Sequence, residues 1–291
     1  MGWPARPFHD LPRQSSRVSR CARLAVLLAI AGTLPCTTAL AQPTARVVTN
    51  VPALLTFPAF YHLRSVVVRG DLSTSRDRTL LTDESDGRGV EVVFPKGAQP
   101  DRVVELRGVY MDIGRMTADD PHFASFDVQA FLDGRTGGAW PKPGELLVVV
   151  ASDVQPAPPL LAPSVRTIVL DPARYKNQSV TVVGEFRGSN LYGDLPRAPT
   201  SGKWDFVLRS ASAALWVSGL RPKGRGFDLD PHARVDTGRV LEVTGVVKAD
   251  NGLVWLEASA ISAPAITDVL PRDEPPDANL AQPAPKAPPP K

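Results

Sequence analysis

Residues 58–70 read P-A-F-Y-H-L-R-S-V-V-V-R-G, and residues 172–184 read P-A-R-Y-K-N-Q-S-V-T-V-V-G. Aligned without a gap, seven positions coincide: Pro58/Pro172, Ala59/Ala173, Tyr61/Tyr175, Ser65/Ser179, Val66/Val180, Val68/Val182 and Gly70/Gly184. The chain therefore contains two copies of one small unit. In both copies the residues four and two before the glycine and two after it are apolar: Val66, Val68, Leu72 and Val180, Val182, Phe186. A period of two places them on one face of a strand, and the glycine shares that face. A glycine facing a core packs nothing, so its use is to let a strand bend sharply at the corner of a closed sheet. The pattern recurs later in each copy, as Val104, Leu106, Gly108, Tyr110 and as Leu241, Val243, Gly245, Val247. Each unit is expected to have two bent strands.

The first 41 residues are set apart from the fold. Arg17, Arg20 and Arg23 precede the apolar run 24–34, and Ala39-Leu40-Ala41 supplies a small-residue cleavage site. This order is that of a cleaved export signal. About eleven apolar residues before Pro35 are too few to cross a bilayer, which takes roughly twenty. The expected location is secreted or periplasmic, with no transmembrane segment in the mature chain.

Cleavage would remove both cysteines, Cys21 and Cys36, and with them disulfides, thiolate metal sites and cysteine nucleophiles. The leader also holds five of the 33 basic and one of the 30 acidic residues. The remainder has 28 basic and 29 acidic residues, a net charge of −1. That balance gives no general drive toward nucleic acid or anionic membranes.

After a short lead-in (42–55), the first unit spans residues 56–153. Its strands are predicted at 65–72, 79–82, 90–94, 103–110 and 124–132, followed by the run 146–150, apolar on both faces. That run is expected to be buried by both units or to pair within the first. Residues 154–164 form a proline-rich linker, stiff where prolines dominate, with Leu160 and Leu161 suggesting contact. The second unit spans 165–263, with strands at 179–186, 204–208, 214–218, 240–247 and 253–261. Asp250-Asn251-Gly252 predicts the last hairpin, because these residues tolerate positive φ. The tail 271–291, rich in Pro and Ala, is expected to be disordered.

Five short strands with bent first and fourth members resemble the OB-fold, a five-stranded Greek-key barrel. The whole is similar to secreted bacterial proteins with tandem OB-fold-like domains. The expected fold is thus all-β: two tandem small OB-like barrels related by duplication. One departure stands out. The family's helix between strands three and four has no room in residues 95–101 and no suitable sequence in the Gly- and Pro-studded segment 219–238.

The resemblance implies a ligand face across strands two and three and their flanking loops. In the second unit those segments carry Arg187, Asn190, Tyr192, Trp204, Arg209, Trp216, Arg221, Lys223 and Arg225, and the first connecting loop is long enough to be functional. Residues 165–263 hold 13 basic and 10 acidic residues against 12 and 14 in residues 46–150, so any cationic face belongs to the second copy. Aromatic rings beside arginine stack on bases or sugars. Equally, Trp204, Phe206 and Leu208 alternate as core residues would, and the run from Arg221 reads as a solvated loop.

Asp120-Pro121-His122 and Asp230-Pro231-His232 look like repeated acid–histidine pairs, but they occupy different places in the two units, and Asp-Pro is ordinary turn chemistry. With Asp119 and Asp120 beside His122, a hydrolase or metal site is the enzymatic alternative. A metal needs three or more convergent ligands. Residues 83–87 lack the spacing of a calcium loop. Ser201-Gly202-Lys203 continues with Trp204 where a phosphate loop needs Ser or Thr, and there is no G-x-S-x-G elbow. No catalytic set, cofactor or metal is expected. The leading expectation is a non-enzymatic binding or scaffolding protein whose partner is an envelope protein or a polyanionic or saccharide ligand. Single-stranded nucleic acid or oligosaccharide binding by the second barrel is the alternative.

Overall fold

The computed structural model describes residues 45–75, 78–83, 87–94, 102–160 and 162–264. The leader, both cysteines and the tail 271–291 lie outside the described residues. In chain order the first copy comprises β1 (Val47–Thr49), α1 (Val51–Thr56), α2 (Pro58–Tyr61), β2 (Ser65–Ser75), β3 (Arg78–Thr82), β4 (Gly89–Val93), β5 (Arg102–Asp112), α3 (Val128–Thr136) and β6 (Leu147–Pro156). The second comprises α4 (Val165–Leu170), α5 (Pro172–Tyr175), β7 (Ser179–Phe186), β8 (Phe206–Ser210), β9 (Ala213–Ser218), the short β10 (Lys223–Gly224) and β11 (Phe227–Asp228), β12 (Val240–Asp250) and β13 (Leu253–Ser262).

The P-A-x-Y half of the repeat is helical in both copies, and only its second half is strand. Asn50 and Ser164, in the same register, cap the first turn: Asn50 Oδ1 accepts from the Ala53 amide at 2.9 Å, and Ser164 forms a capping box with Thr167. Pro58 and Pro172 open the second turn, where a missing N–H costs nothing. Leu63 and Asn177 then reverse the chain at φ 59° and 64°. Their amides donate to the Tyr110 and Val247 carbonyls, each at 2.8 Å, so each turn is stitched to its own fourth strand.

Both sheets close with one topology. In the first, β2-β3-β4-β6-β5 returns to β2; in the second, β7-β8-β9-β13-β12 returns to β7. The third and fifth strands pair in parallel in each barrel. The four corner glycines fall at matching places. A Cβ on Gly70 would lie 2.6 Å from the Thr82 carbonyl oxygen, and one on Gly184 would lie 2.8 Å from that of Arg209, both on the neighbouring second strand. A Cβ on Gly108 or Gly245 would lie 2.4 Å from a carbonyl of the fifth strand, and in each barrel the register slips by a bulge at that residue. The residues between them fill the barrels: Val66, Leu72, Leu106 and Tyr110 in one, and Phe186, Phe206, Leu208 and Leu241 in the other, are fully buried. Each such side chain contributes about 1.5–3 kcal/mol.

The strand predicted at 124–132 is absent. Residues Pro121–Ser125 form a 3₁₀ turn and Val128–Thr136 forms α3. Asp127 caps this helix through the Ala130 amide at 3.0 Å, and Gly137, at φ 64°, ends it. The fifth strand is instead β6, and its two apolar faces have separate destinations. Val149 enters the barrel core. Val148 and Val150 meet Met111, Ile113, Phe123 and Leu132 in a second core under the α3 insertion. The first copy therefore covers the run by itself. Its helix lies between strands four and five, not between three and four.

The lead-in and the linker belong to the fold as well. β1 adds to β2 in parallel, so the first unit begins before residue 56; β6 runs through residue 156, inside the expected linker. Leu160 is buried as anticipated, and Leu161 lies outside the described residues.

The two barrels are locked together. The Val48 amide donates to the Ser212 carbonyl at 3.0 Å, and the Asn50 side-chain amide reaches the Val169 carbonyl at 3.3 Å. The Asn251-Gly252 turn has positive φ at both residues and presses against α1, so that a Cβ on Gly252 would sit 2.4 Å from the Ala53 nitrogen. Arg166 meets Glu105 at 2.7 Å in a buried pair, and Val48 and Val67 of the first copy share a core with α4 and the second barrel.

Candidate functional site

A cavity of about 340 Å³ opens at this seam. Its first-copy wall consists of Ala45, Arg46 and the start of β1 with Leu63, Arg64 and Ser65. Its second-copy wall is the 192–195 loop with Arg209, Ser212 and Ala214. The loop is built by its own side chains. Asn190, at φ 64°, accepts from the Leu195 amide at 3.1 Å and donates to its carbonyl at 2.6 Å. Asp194 is clamped by Arg187 at 3.1 Å and Arg209 at 3.0 Å. Arg187 lies 3.9 Å over the Tyr192 ring, whose hydroxyl pairs with Thr237 at 2.9 Å. Tyr192 is thus held upright yet 44% exposed at the cleft mouth.

Four of the nine sequence-predicted ligand residues gather here: Arg187, Asn190, Tyr192 and Arg209. Asn190 is engaged in shaping the loop, and Arg187 acts from behind Tyr192. A second group lies on the β10–β11 hairpin. Arg221 and Lys223 share Asp228 at 2.6 and 3.4 Å, Arg225 is exposed, and Trp204 is flanked by Arg221 and Lys203, each 4.7 Å from its ring.

Trp216 joins neither group. It is only 3% exposed, packed with Val207, Ala214, Leu195 and Trp255 beside Val48 and Thr49 of the first copy. Its indole N–H has no partner among the described residues. The nine residues, expected across strands two and three and their flanking loops, do not form one face, because Trp216 is covered by the first copy's lead-in. Sequence reading missed Arg46, Leu63 and Arg64, which line the cleft from the other copy.

The histidine motifs resolve as turns. Asp120 and Asp230 each accept from the backbone amide two residues on, His122 and His232, at 2.9 Å. The His122 ring adds a 2.6 Å contact to Asp120. That amide and then that ring hold the Asp120 carboxyl below its usual range, and the Thr117 hydroxyl does the same for Asp119. His62 Nδ1 accepts from the Asp112 amide at 3.2 Å, and burial lowers its pKa against the opposing pull of Asp112. His232 Nδ1 contacts Ser189 at 3.1 Å, but the Asp230 carboxylate takes the backbone and not the ring, so the acid–base–nucleophile chain is not assembled. Among the described residues no three His, Cys, Asp or Glu side chains converge as a metal site requires.

The site thus belongs to a tandem OB-like barrel protein with a basic, part-apolar cleft between its copies. No protein-family model matches the chain, and no curated protein matches it. Two crystal structures of the single-stranded DNA binding protein from Thermus aquaticus are similar. The wild type is 14% identical, covering 70% of this chain and 93% of that one; a deletion mutant is 13% identical, covering 72% and 96%. Both overlay with a TM-score of 0.19, which adds nothing to the topology read from strand pairing. No described helix is long and apolar enough to cross a membrane.

Proposed function

We propose that this chain is an exported, non-enzymatic binding protein of the bacterial envelope whose two OB-like barrels act as one rigid scaffold, with its ligand held at their seam. The observation that carries this reading is the cleft itself: a concavity of small-molecule size with walls from both copies and arginines on each side. The leader reading supports export. A thermal-shift panel of small anions and saccharides tests the binding role, with stabilisation expected and reduced by Arg64→Ala. Turnover on a hydrolase panel, abolished by His122→Ala or His232→Ala, would overturn the non-enzymatic reading. The exported product is expected to begin at Gln42.

The Trp204 group favours a second reading, binding of single-stranded nucleic acid or oligosaccharide by the second barrel. A ring flanked by Lys203 and Arg221 suits base or sugar stacking. Phosphate contacts would make affinity for a labelled oligonucleotide fall steeply with salt. No binding at low ionic strength removes this reading.

A further inference from the structure

Leu63 breaks a local rule. It sits in the left-handed region at φ 59° and is 38% exposed. The matching residue of the second copy is Asn177, at φ 64° with the same hydrogen bond to the fourth strand. Asparagine tolerates that conformation through its short polar side chain, whereas leucine is strained there. The Leu63 amide is paired to the Tyr110 carbonyl, as that of Asn177 is to Val247, but the part-exposed leucine side chain recovers less by packing than a core leucine would, so the strain is only partly offset in the free protein. Such outliers persist where function uses them. This leucine lines the seam cleft; its counterpart does not.

The adjacent residue supplies the charge. Arg64 also lines the cleft, and its guanidinium lies 3.9 Å over the Phe60 ring, with no carboxylate paired to it among the described residues. Across the cleft Asp194 is already held by Arg187 and Arg209, so the lining favours an anion. The rest of the lining sets Arg46, Ser65 and Ser212 beside an apolar and aromatic side made by Val48, Leu195, Ala214 and the fixed Tyr192 ring. Resting on the binding role proposed above, we infer that the cleft takes a small amphipathic organic anion. Its acid group pairs with Arg64, and its apolar body lies on Leu63 and against Tyr192. A volume of about 340 Å³ lies in the range of small-molecule sites and suits a bicyclic or medium-chain acid.

Calorimetric titration of the purified chain with 2-naphthoate, its neutral analogue 2-naphthamide, and glucuronate as a hydrophilic anion tests this. One-site saturable binding of 2-naphthoate is expected, at least tenfold tighter than the amide. Arg64→Ala should lose about tenfold for the acid and little for the amide, a loss that amounts to one charge-assisted contact. Leu63→Asn should weaken 2-naphthoate several-fold while the melting temperature holds or rises, a split that a merely structural leucine would not produce. Equal affinity for acid and amide, undiminished binding by Arg64→Ala, or no saturation with 2-naphthoate overturns the inference. Glucuronate binding that needs Arg64, without naphthoate binding, overturns the amphipathic class and leaves the seam-binding role standing. If all three probes and the wider thermal-shift panel fail to bind, both readings fall.

Discussion

Replacing Gly245 by alanine tests the corner architecture directly. The added methyl would lie 2.4 Å from the Glu257 carbonyl oxygen and 2.8 Å from the Ala258 Cα, both backbone atoms of the paired strand. Neither can rotate away, so β12 and β13 must part at the bulge where they are most closely opposed. Overpacking costs about 1–3 kcal/mol, and loosening one or two ladder hydrogen bonds adds roughly 1 kcal/mol each. Loss of glycine's unfolded-state freedom returns about 0.4–1 kcal/mol. The net expectation is about 1–4 kcal/mol of destabilisation, or a fall of roughly 2–16 °C in melting temperature for two locked barrels of about 200 residues unfolding together. Gly108→Ala should cost the same, since its methyl meets the Val150 carbonyl at 2.4 Å in the equivalent bulge. Gly134 in α3 has nothing within 4 Å of its would-be Cβ, and there the same substitution should stabilise by up to about 1 kcal/mol. Calorimetry and urea unfolding of the three variants decide the matter. If Gly108→Ala and Gly245→Ala unfold like Gly134→Ala, the close-approach account of these corners is wrong.

The repeated tyrosines should respond oppositely to loss of their hydroxyls. Tyr61 accepts from Thr49 at 3.0 Å, and burial pushes its pKa up to about 12, so Tyr61→Phe orphans a buried threonine and should cost about 1–2 kcal/mol. Among the described residues the buried Tyr175 hydroxyl has no partner, so Tyr175→Phe should be neutral or stabilising in the same urea titrations. Arg166→Ala leaves Glu105 at the seam with, among the described residues, the longer contact to Arg107 at 3.7 Å, and should cost about 3 kcal/mol; proteolysis within 154–164 should accelerate with it. Because burial lowers the His62 pKa from 6.5, the neutral ring is the form the fold prefers. Its contribution to stability is present above pH 6.5 and is lost as pH falls through the lower folded value. His62→Gln should flatten that part of the stability–pH curve.

Much of the barrel framework was legible because its signals are local. Alternation around Gly70, Gly108, Gly184 and Gly245 predicts four of the ten barrel strands with their buried faces, and Asp250-Asn251-Gly252 predicts the last hairpin. The helix α3 reads as a strand from propensity because Val128 and Phe131 are β-formers in isolation. The Asp127 cap, the spacing of Val128, Phe131 and Leu132 and the Gly137-Gly138 stop were the signals to weigh. The candidate site was half legible. Arg187, Tyr192 and Arg209 stand out in a long loop and strand, whereas Leu63 and Arg64 look like ordinary turn residues until the second copy is laid beside them.

Local residue patterns are enough to establish that there are two copies, where their strands bend and which faces are buried. Those properties depend on side-chain alternation and on glycine at single positions, each readable within a few residues. The pairing of residues 47–49 with β2, the covering of Trp216 and the meeting of Leu63 and Tyr192 at one cleft emerge from the assembled fold alone. Those outcomes follow from contacts between residues more than a hundred positions apart, such as Asn50 with Val169, whose register is set by the packing of whole barrels and not by any local pattern.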